Sequence, residues 1–425
     1  MDSLVIQGGV KLRGTIAVNG AKNAALPIMA AALLSDEPSL IRGVPDLQDV
    51  RSQIALLTGL GAAVLRQKDS ALEIRVRDQS QSHAPYDLVR KMRAGICVLG
   101  PLLARRGRAR VSMPGGCAIG DRPVDLHLRG LAALGARIRL ENGDIVATAK
   151  RLRGAEIFLG GNFGSTVLGT ANVMCAATLA HGKTVIEGAA CEPETVDLAN
   201  YLNAMGARIT GQGTPRLIIE GVQELHGCDY RVIPDRIEAG TFLVAAAISR
   251  GELRLQNVRL DHLVAVIDKL RQIGVRVEKC NGGAHVAAPQ RLQPGTITTQ
   301  PYPGFPTDLQ AQFMALLALA HGNSIITEKI FPDRFLHVAE LARLGARVHR
   351  EGATVMVEGQ PKLIAAPVMA SDLRASAALV LAGLAAQGVT VVHRVYHIDR
   401  GYERIEKRLN QAGARIQRVD QAETE

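Results

Sequence analysis

Apolar and polar positions along this chain recur with a period of about 70 residues. The marker is a short signature: an apolar or small residue, Gly, Ala or Val, any residue, then Val or Ile. It stands at Leu60 to Val64, Leu134 to Ile138, Met205 to Ile209, Ile273 to Val277, Leu344 to Val348 and Ala412 to Ile416. Its six glycines are separated by 74, 71, 68, 71 and 68 residues, which marks internal repetition. A second pattern keeps step with the first. Segments rich in Ala, Leu and Gly run from Val98 to Gly107, Val173 to Gly182, Phe242 to Gly251, Met314 to Gly322 and Leu379 to Gly388. The first copy, Leu26 to Ser35, ends on Ser instead. Apolar all round, these segments predict buried helices whose small side chains allow close packing. The closing glycine is the expected C′ cap, and the β-branched residues after it predict a strand.

Each unit therefore reads as buried helix, strand, amphipathic helix ending at the signature, then two or more strands. The fold class is α/β. Three units are expected in each of two globules, with the boundary near Arg231 to Asp235. The stretch Leu4 to Val18 stands outside the repeat and is expected to be a strand pairing with the last unit. A ~34-residue helical repeat or a propeller is excluded by the length and mixed content of the unit.

At 425 residues the chain is long enough for two cores. Hydrophobic residues at 47% and charged residues at 21% fit a water-soluble globule, and no apolar run reaches transmembrane length. The opening residues lack the basic and apolar regions of a signal peptide. The six cysteines, Cys97, Cys117, Cys175, Cys191, Cys228 and Cys280, show neither a C-x-x-C pair nor metal-ligand spacing. Free thiols in a reducing, cytoplasmic setting are the expectation. The net charge of +10 suits anionic partners, but without Trp and with 3% aromatics there is little to stack on bases. Small phosphorylated substrates fit better than nucleic acid or membrane.

The starts of the buried helices carry polar residues that packing does not require. They are Lys22-Asn23, Arg90 to Arg93, Asp235-Arg236, Asp308 with Gln310 and Gln312, and Asp372 to Arg374. The third unit has the glycine-rich entry Gly160 to Thr166 instead. Helix N-termini bear partial positive charge and unpaired N–H groups, so converging starts would make an anion site. Ordinary N-capping is the competing explanation for each Asp and Asn.

The runs Asn19 to Pro27, Pro114 to Gly120, Arg122 to His127, Phe305 to Asp308, Ser371 to Ser376 and His397 to Arg404 resemble the UDP-N-acetylglucosamine enolpyruvyl transferase family. The resemblance covers residues 1 to about 420. It implies an inside-out α/β barrel: two lobes of three βαβαββ-type repeats, helices buried, sheets outside, active site in the cleft. The first lobe would span 22–233 and carry the Cys117 loop; the second would combine 1–21 with 234–425. The sister enzyme of the shikimate pathway lacks the Pro-Gly-Gly-Cys loop and is a poorer match.

The resemblance implies addition of a hydroxyl to phosphoenolpyruvate followed by loss of phosphate, the entry step to peptidoglycan precursors. Lys22, Arg122 and Arg400 match the clamp on phosphoenolpyruvate, supported by Arg93 and Arg374. Arginine suits that task because its planar fork meets paired oxygens. Asn23 matches a residue at the reacting centre. Asp308 matches the group facing the sugar hydroxyl, as base or orienter. Cys117 matches the proton donor or covalent nucleophile and the point of attack by fosfomycin. The nucleotide sugar would be held by Arg93, Arg122, Pro123, Val124, Asp125, Leu126, Gly164, Ser165, Thr166, Val167, Asp308 and Ile330. No metal or organic cofactor is implied, and oligomeric state is open.

Two positions depart from the family pattern. Gln48 stands where members carry Lys, and Leu168 where they carry a glycine that lets backbone approach the ligand. They motivate an alternative, a paralogue acting on another nucleotide or nucleotide sugar. A catalytically silent nucleotide-binding protein is the second alternative, opposed by the joint presence of Lys22, Cys117, Asp308 and Arg400.

Overall fold

In a computed structural model, residues 2–114, 124–162 and 164–420 are described. Helices without a polar face have nowhere to go but inward. Lys22–Ala31, Val167–Thr178, Arg236–Ile248, Gln310–Leu317 and Leu373–Ala385 bury nearly every side chain, and Leu99–Arg106 buries its first five residues and leaves Arg105 and Arg106 at its end partly exposed. A strand follows each of them, then a second helix that ends at a signature glycine. Those six glycines all have positive φ, from +86° at Gly345 to +103° at Gly206, where a Cβ would be strained.

The caps of the buried helices differ in two repeats: the first closes on Ser35 in an extended conformation, at φ −132°. Gly107, Gly182, Gly322 and Gly388 take the left-handed conformation, but in the fourth repeat Arg250 does so, at φ +54°. Gly251 is needed for another reason: a Cβ there would lie 2.2 Å from the carbonyl oxygen of Leu12.

Among the described residues, six open, four-stranded sheets share one plan. In the first repeat, Ser39–Arg42 pairs in parallel with Asp229–Arg231 on one side. On its other side it pairs antiparallel with Leu72–Val76, which pairs with Ala62–Arg66. The parallel partner always comes from elsewhere in the chain. His83–Ala84 joins the second sheet, Glu156–Phe158 the third, and Asp229–Arg231 returns to the first. Alternation places one face of each sheet inward, as in Glu252–Gln256, where only Leu253 and Leu255 are buried.

The N-terminal stretch forms two strands rather than one, Asp2–Gln7 and Arg13–Ala17. The first lies between Val389–His393 and Arg415–Asp420 of the last repeat; the second runs parallel to Glu252–Gln256 of the fourth. Gly8-Gly9 breaks them, with Gly9 at φ +81° and Gly8 pressed on the Ala386 carbonyl.

The described residues separate into two compact units. One gathers 20–114 with 124–233, the other 2–19 with 234–420. Each has its own apolar core. The chain passes between them after Asn19 and after Ile233, and each passage is tied within its unit. Ala21 N–H donates to Ile233 O at 2.7 Å, and Asp235 N–H donates to Asn19 O at 2.8 Å. No helix of the described residues is long and apolar enough to cross a membrane.

Candidate functional site

Lys22 is the first residue of its buried helix and is itself buried. Its ammonium meets Asp49 at 3.1 Å, in the first turn of Gln48–Gly59, and that carboxylate is also buried. A buried cation of this kind is held in one place by its partner. Gln48, one residue earlier, is exposed. Asn23 is half-buried in the first turn of the same helix. That helix packs on the turn Arg93–Val98, which opens with Arg93.

Arg93 acts electrostatically on His127. Burial is the larger influence there, and together they push the imidazole down to about 4, so it is neutral at pH 7. His127 Nδ1 lies 3.0 Å from Asn172 Nδ2, which also donates to Ile96 O, while Asn172 Oδ1 accepts from Gly100 N–H. The amide has two donors and one acceptor so placed, so Nδ1 accepts and the ring proton sits on Nε2.

Val124 is buried at the entry to helix Asp125–Ala133, Asp125 is exposed, and Leu126 packs on Gly161. A Cβ at Gly161 would come within 3.1 Å of Leu126 Cδ1. Gly161 pairs with Gly164, and Gly160 with Ser165, in a two-stranded turn. The helix is fastened to this turn by Arg129, whose guanidinium donates to Phe158 O at 2.6 Å. The structure thus sets Leu126 against the turn that holds Gly164 and Ser165, a junction that spacing alone does not reveal. Thr166 caps the helix Val167–Thr178 by accepting from Gly169 N–H at 3.2 Å.

Leu168 is half-buried against the core of this unit. Gly169 cannot take over a glycine's approach to a ligand, because it is buried and Thr166 Cγ2 would lie 2.4 Å from its Cβ. Cys117, Arg122 and Pro123 lie outside the described residues. Of the other cysteines, Cys97 is pushed up to about 12 and Cys228 to about 11, mainly by burial, and Cys175 and Cys191 also rise. None of these four is a ready thiolate at neutral pH.

In the second unit, Asp235 and Asp372 are N-caps. Asp235 Oδ1 accepts from Ile237 and Glu238 N–H, and Asp372 Oδ1 from Arg374 and Ala375 N–H. Asp308 is different. It sits in the turn Thr307–Leu309, and the helix after it has no side-chain cap. Its Oδ1 accepts from Arg334 at 2.9 Å and its Oδ2 from Arg374 at 3.1 Å. Both arginines are almost fully buried.

Burial disfavours the Arg374 charge, but Tyr402, Asp308 and Asp235 outweigh it and raise the group's pKa. With Nε and Nη2 on Asp308, Arg374 Nη1 has no partner among the described residues. His337 is buried nearby and held down to about 4 by burial, with Asp372 opposing and Arg334 adding to the shift.

Arg400 follows the short helix Tyr396–Asp399. That turn is fixed by Asp399, which takes two bonds from Arg418 at 2.9 and 2.6 Å. Arg400 and Asp372 both influence His397. Ile330 lies in the segment after strand Asn323–Thr327, and its N–H donates to Glu328 Oε1 at 2.9 Å.

A sequence-family profile described as EPSP synthase (3-phosphoshikimate 1-carboxyvinyltransferase) matches residues 6–409. The chain belongs to this family. Within it, the chain is similar to the UDP-N-acetylglucosamine 1-carboxyvinyltransferase of Methylacidiphilum infernorum, at 55% identity over 99% of each chain. The protein of that name from Anaeromyxobacter sp. is 57% identical, over 98% of this chain and 99% of its own. Among solved structures, the enolpyruvyl transferase NikO from Streptomyces tendae matches with a TM-score of 0.89. That match has 26% identity over 98% of this chain and 99% of that one.

In this carboxyvinyltransferase, an enzyme by family, sequence reasoning missed Asp49, Arg334, Glu328 and His337. The signals were faint: an acid in the first turn of an amphipathic helix, an Arg between Asp333 and Phe335, and an acid closing a β-branched strand.

Proposed function

We propose that this enzyme transfers the enolpyruvyl group of phosphoenolpyruvate to a sugar hydroxyl of UDP-N-acetylglucosamine and releases phosphate. The product is a precursor of peptidoglycan. The observation that carries the reading is Asp308 clamped by Arg334 and Arg374, with Arg374 also stacked on Tyr402 and its Nη1 without a hydrogen-bond partner among the described residues. A substrate anion would supply what that nitrogen lacks. The name shared by the relatives points to the acceptor.

In this reading Lys22, Arg122 and Arg400 offset the charge of phosphoenolpyruvate, and Asn23 steadies the reacting centre. Cys117 donates a proton to the methylene carbon while the hydroxyl oxygen attacks the adjacent carbon. The hydroxyl proton leaves toward Asp308. Loss of a methyl proton and of phosphate then restores the double bond. With both carboxylate oxygens held by guanidinium groups, Asp308 is fixed in place to orient the hydroxyl and take up its proton. Arg93, Val124 to Leu126, Gly164 to Val167 and Ile330 hold the nucleotide sugar.

The same reading gives the architecture as an inside-out α/β barrel, with three repeats in 22–233 and three in 1–21 with 234–425, and a cytoplasmic location. The alterations at Gln48 and Leu168 do not by themselves call for another acceptor. Gln48 is exposed and Leu168 is partly occupied with core packing.

The test is phosphate release from phosphoenolpyruvate with a panel of nucleotide sugars. Turnover is expected with UDP-N-acetylglucosamine; turnover only with another acceptor would replace the reading. Fosfomycin should alkylate Cys117 first, as mapped by mass, and labelling of another cysteine would remove Cys117 from the chemistry.

A further inference from the structure

Glu328 is a completely buried carboxylate that the reaction scheme above does not use. It follows the strand Asn323–Thr327. Its Oε1 accepts from the Thr299 hydroxyl at 2.6 Å and from Ile330 and Phe331 N–H at 2.9 and 3.0 Å. Its Oε2 accepts from the Thr307 hydroxyl at 2.9 Å. Thr307 Oγ1 in turn accepts from Arg334 Nη1 at 3.0 Å, and the same Nη1 donates to Asp308 Oδ1 at 2.9 Å. Four donors satisfy the carboxylate, so its burial is tolerable.

The two oxygens do different jobs. Oε1 ties down the segment of Ile330, and a carboxamide oxygen would serve equally there. Oε2 fixes the direction of one proton. Because the Thr307 hydroxyl must donate to Glu328, its lone pairs are left for Arg334. An acceptor thus sits beside Asp308 and fixes Arg334 Nη1 where it can reach both.

We propose that Glu328, acting through Thr307, is a positioning residue that sets Arg334 against Asp308 for the transfer step. This rests on the functional reading above for its catalytic consequence, though the relay itself does not depend on the acceptor's identity.

The test compares three variants of the full-length enzyme. Thr307→Val deletes the relay and keeps every Oε1 bond. Thr307→Ser keeps the hydroxyl. Thr299→Val removes a bond to Oε1 and its bond from Lys329 N–H, outside the relay. Thr307→Val should lower kcat about tenfold, leave the KM for the nucleotide sugar within about twofold, and keep the Ile330 and Phe331 amides protected from exchange. Thr307→Ser should restore kcat. Thr299→Val should lower the melting temperature with kcat within about twofold of wild type.

Wild-type kcat in Thr307→Val, or equal kcat losses in Thr307→Val and Thr299→Val, would overturn the proposal. A failure of the functional reading would look different, since the wild type itself would release no phosphate with UDP-N-acetylglucosamine. The relay is then judged by NMR of the Arg334 guanidinium. Hindered rotation in the wild type, released in Thr307→Val and retained in Thr307→Ser, supports it; no difference between wild type and Thr307→Val overturns it.

Discussion

The helix starts of the two units hold their polar residues by different means. In the second unit Asp235 and Asp372 cap their helices, and at the remaining start the means is ion pairing: Asp308 between Arg334 and Arg374, with Glu328 behind Thr307. In the first unit it is mostly neutral hydrogen bonding and close backbone packing. Asn172 fixes His127, Thr166 caps with Gly169, and Leu126 rests on Gly161. Lys22 with Asp49 is the charged exception. Charge in a buried setting gives fixed direction at high cost if broken, whereas small residues and backbone give a surface that a ligand can approach. The Asp308 cluster is therefore expected to bear mainly on the rate of the chemical step, and the junction of Leu126 with Gly161 mainly on the hold on the nucleotide.

The largest effect should come from breaking the charged cluster. Arg374→Met leaves Asp308 with one guanidinium fewer and should cost about 3–5 kcal/mol of stability. Thermal unfolding measures this, and a loss below about 1 kcal/mol would mean that the cluster is not held as described. Next, Lys22→Met should raise the KM for phosphoenolpyruvate by roughly tenfold or more, since a charge-assisted contact contributes about 1.5–3 kcal/mol. An unchanged KM would place Lys22 in packing alone.

Each unit also contains one buried neutral histidine, which allows the comparison to be read by pH. A folded-state pKa of about 4 for His127 and His337 lies below the ordinary value of 6.5. The unfolded chain thus binds more protons in that interval, and stability falls as pH drops from 6.5 toward 4. His127→Gln and His337→Gln should each flatten part of that slope in melting temperature against pH. Identical slopes in wild type and both variants would contradict the buried neutral state.

The smallest effect is expected at the rim of the first unit. Gln48 is exposed, so Gln48→Lys should improve nucleotide-sugar affinity by at most about 1 kcal/mol, measured by calorimetry at low salt. A gain far above that would make position 48 a direct contact.

What the sequence made legible was local. The glycine signature marks a left-handed residue after a helix, and an all-apolar segment marks a helix that must be covered; both can be read within ten residues. The Lys22–Asp49 pair and the Asp308–Arg334–Arg374 cluster join residues 26 to 66 positions apart, and Arg374 reaches Asp308 from the following repeat. No period in the chain encodes which acid meets which arginine. The break at Gly8-Gly9 was equally hidden, because the Ala386 carbonyl that forbids a side chain there comes from the far end of the sequence. Motif likeness pointed to Asp308 and Arg374, but not to Arg334 or Glu328.

The central claim is that Asp308, fixed by two guanidinium groups, faces the reacting hydroxyl. Asp308→Asn keeps the shape while removing the charge and one of the two oxygens that accept from Arg334 and Arg374. Turnover, by phosphate release, and nucleotide-sugar binding, by calorimetry, should be measured on that one variant. The account predicts that kcat falls by about 10²-fold or more with affinity within a few-fold of wild type. Near-normal turnover, or a loss of affinity that accounts for the whole defect, would contradict it.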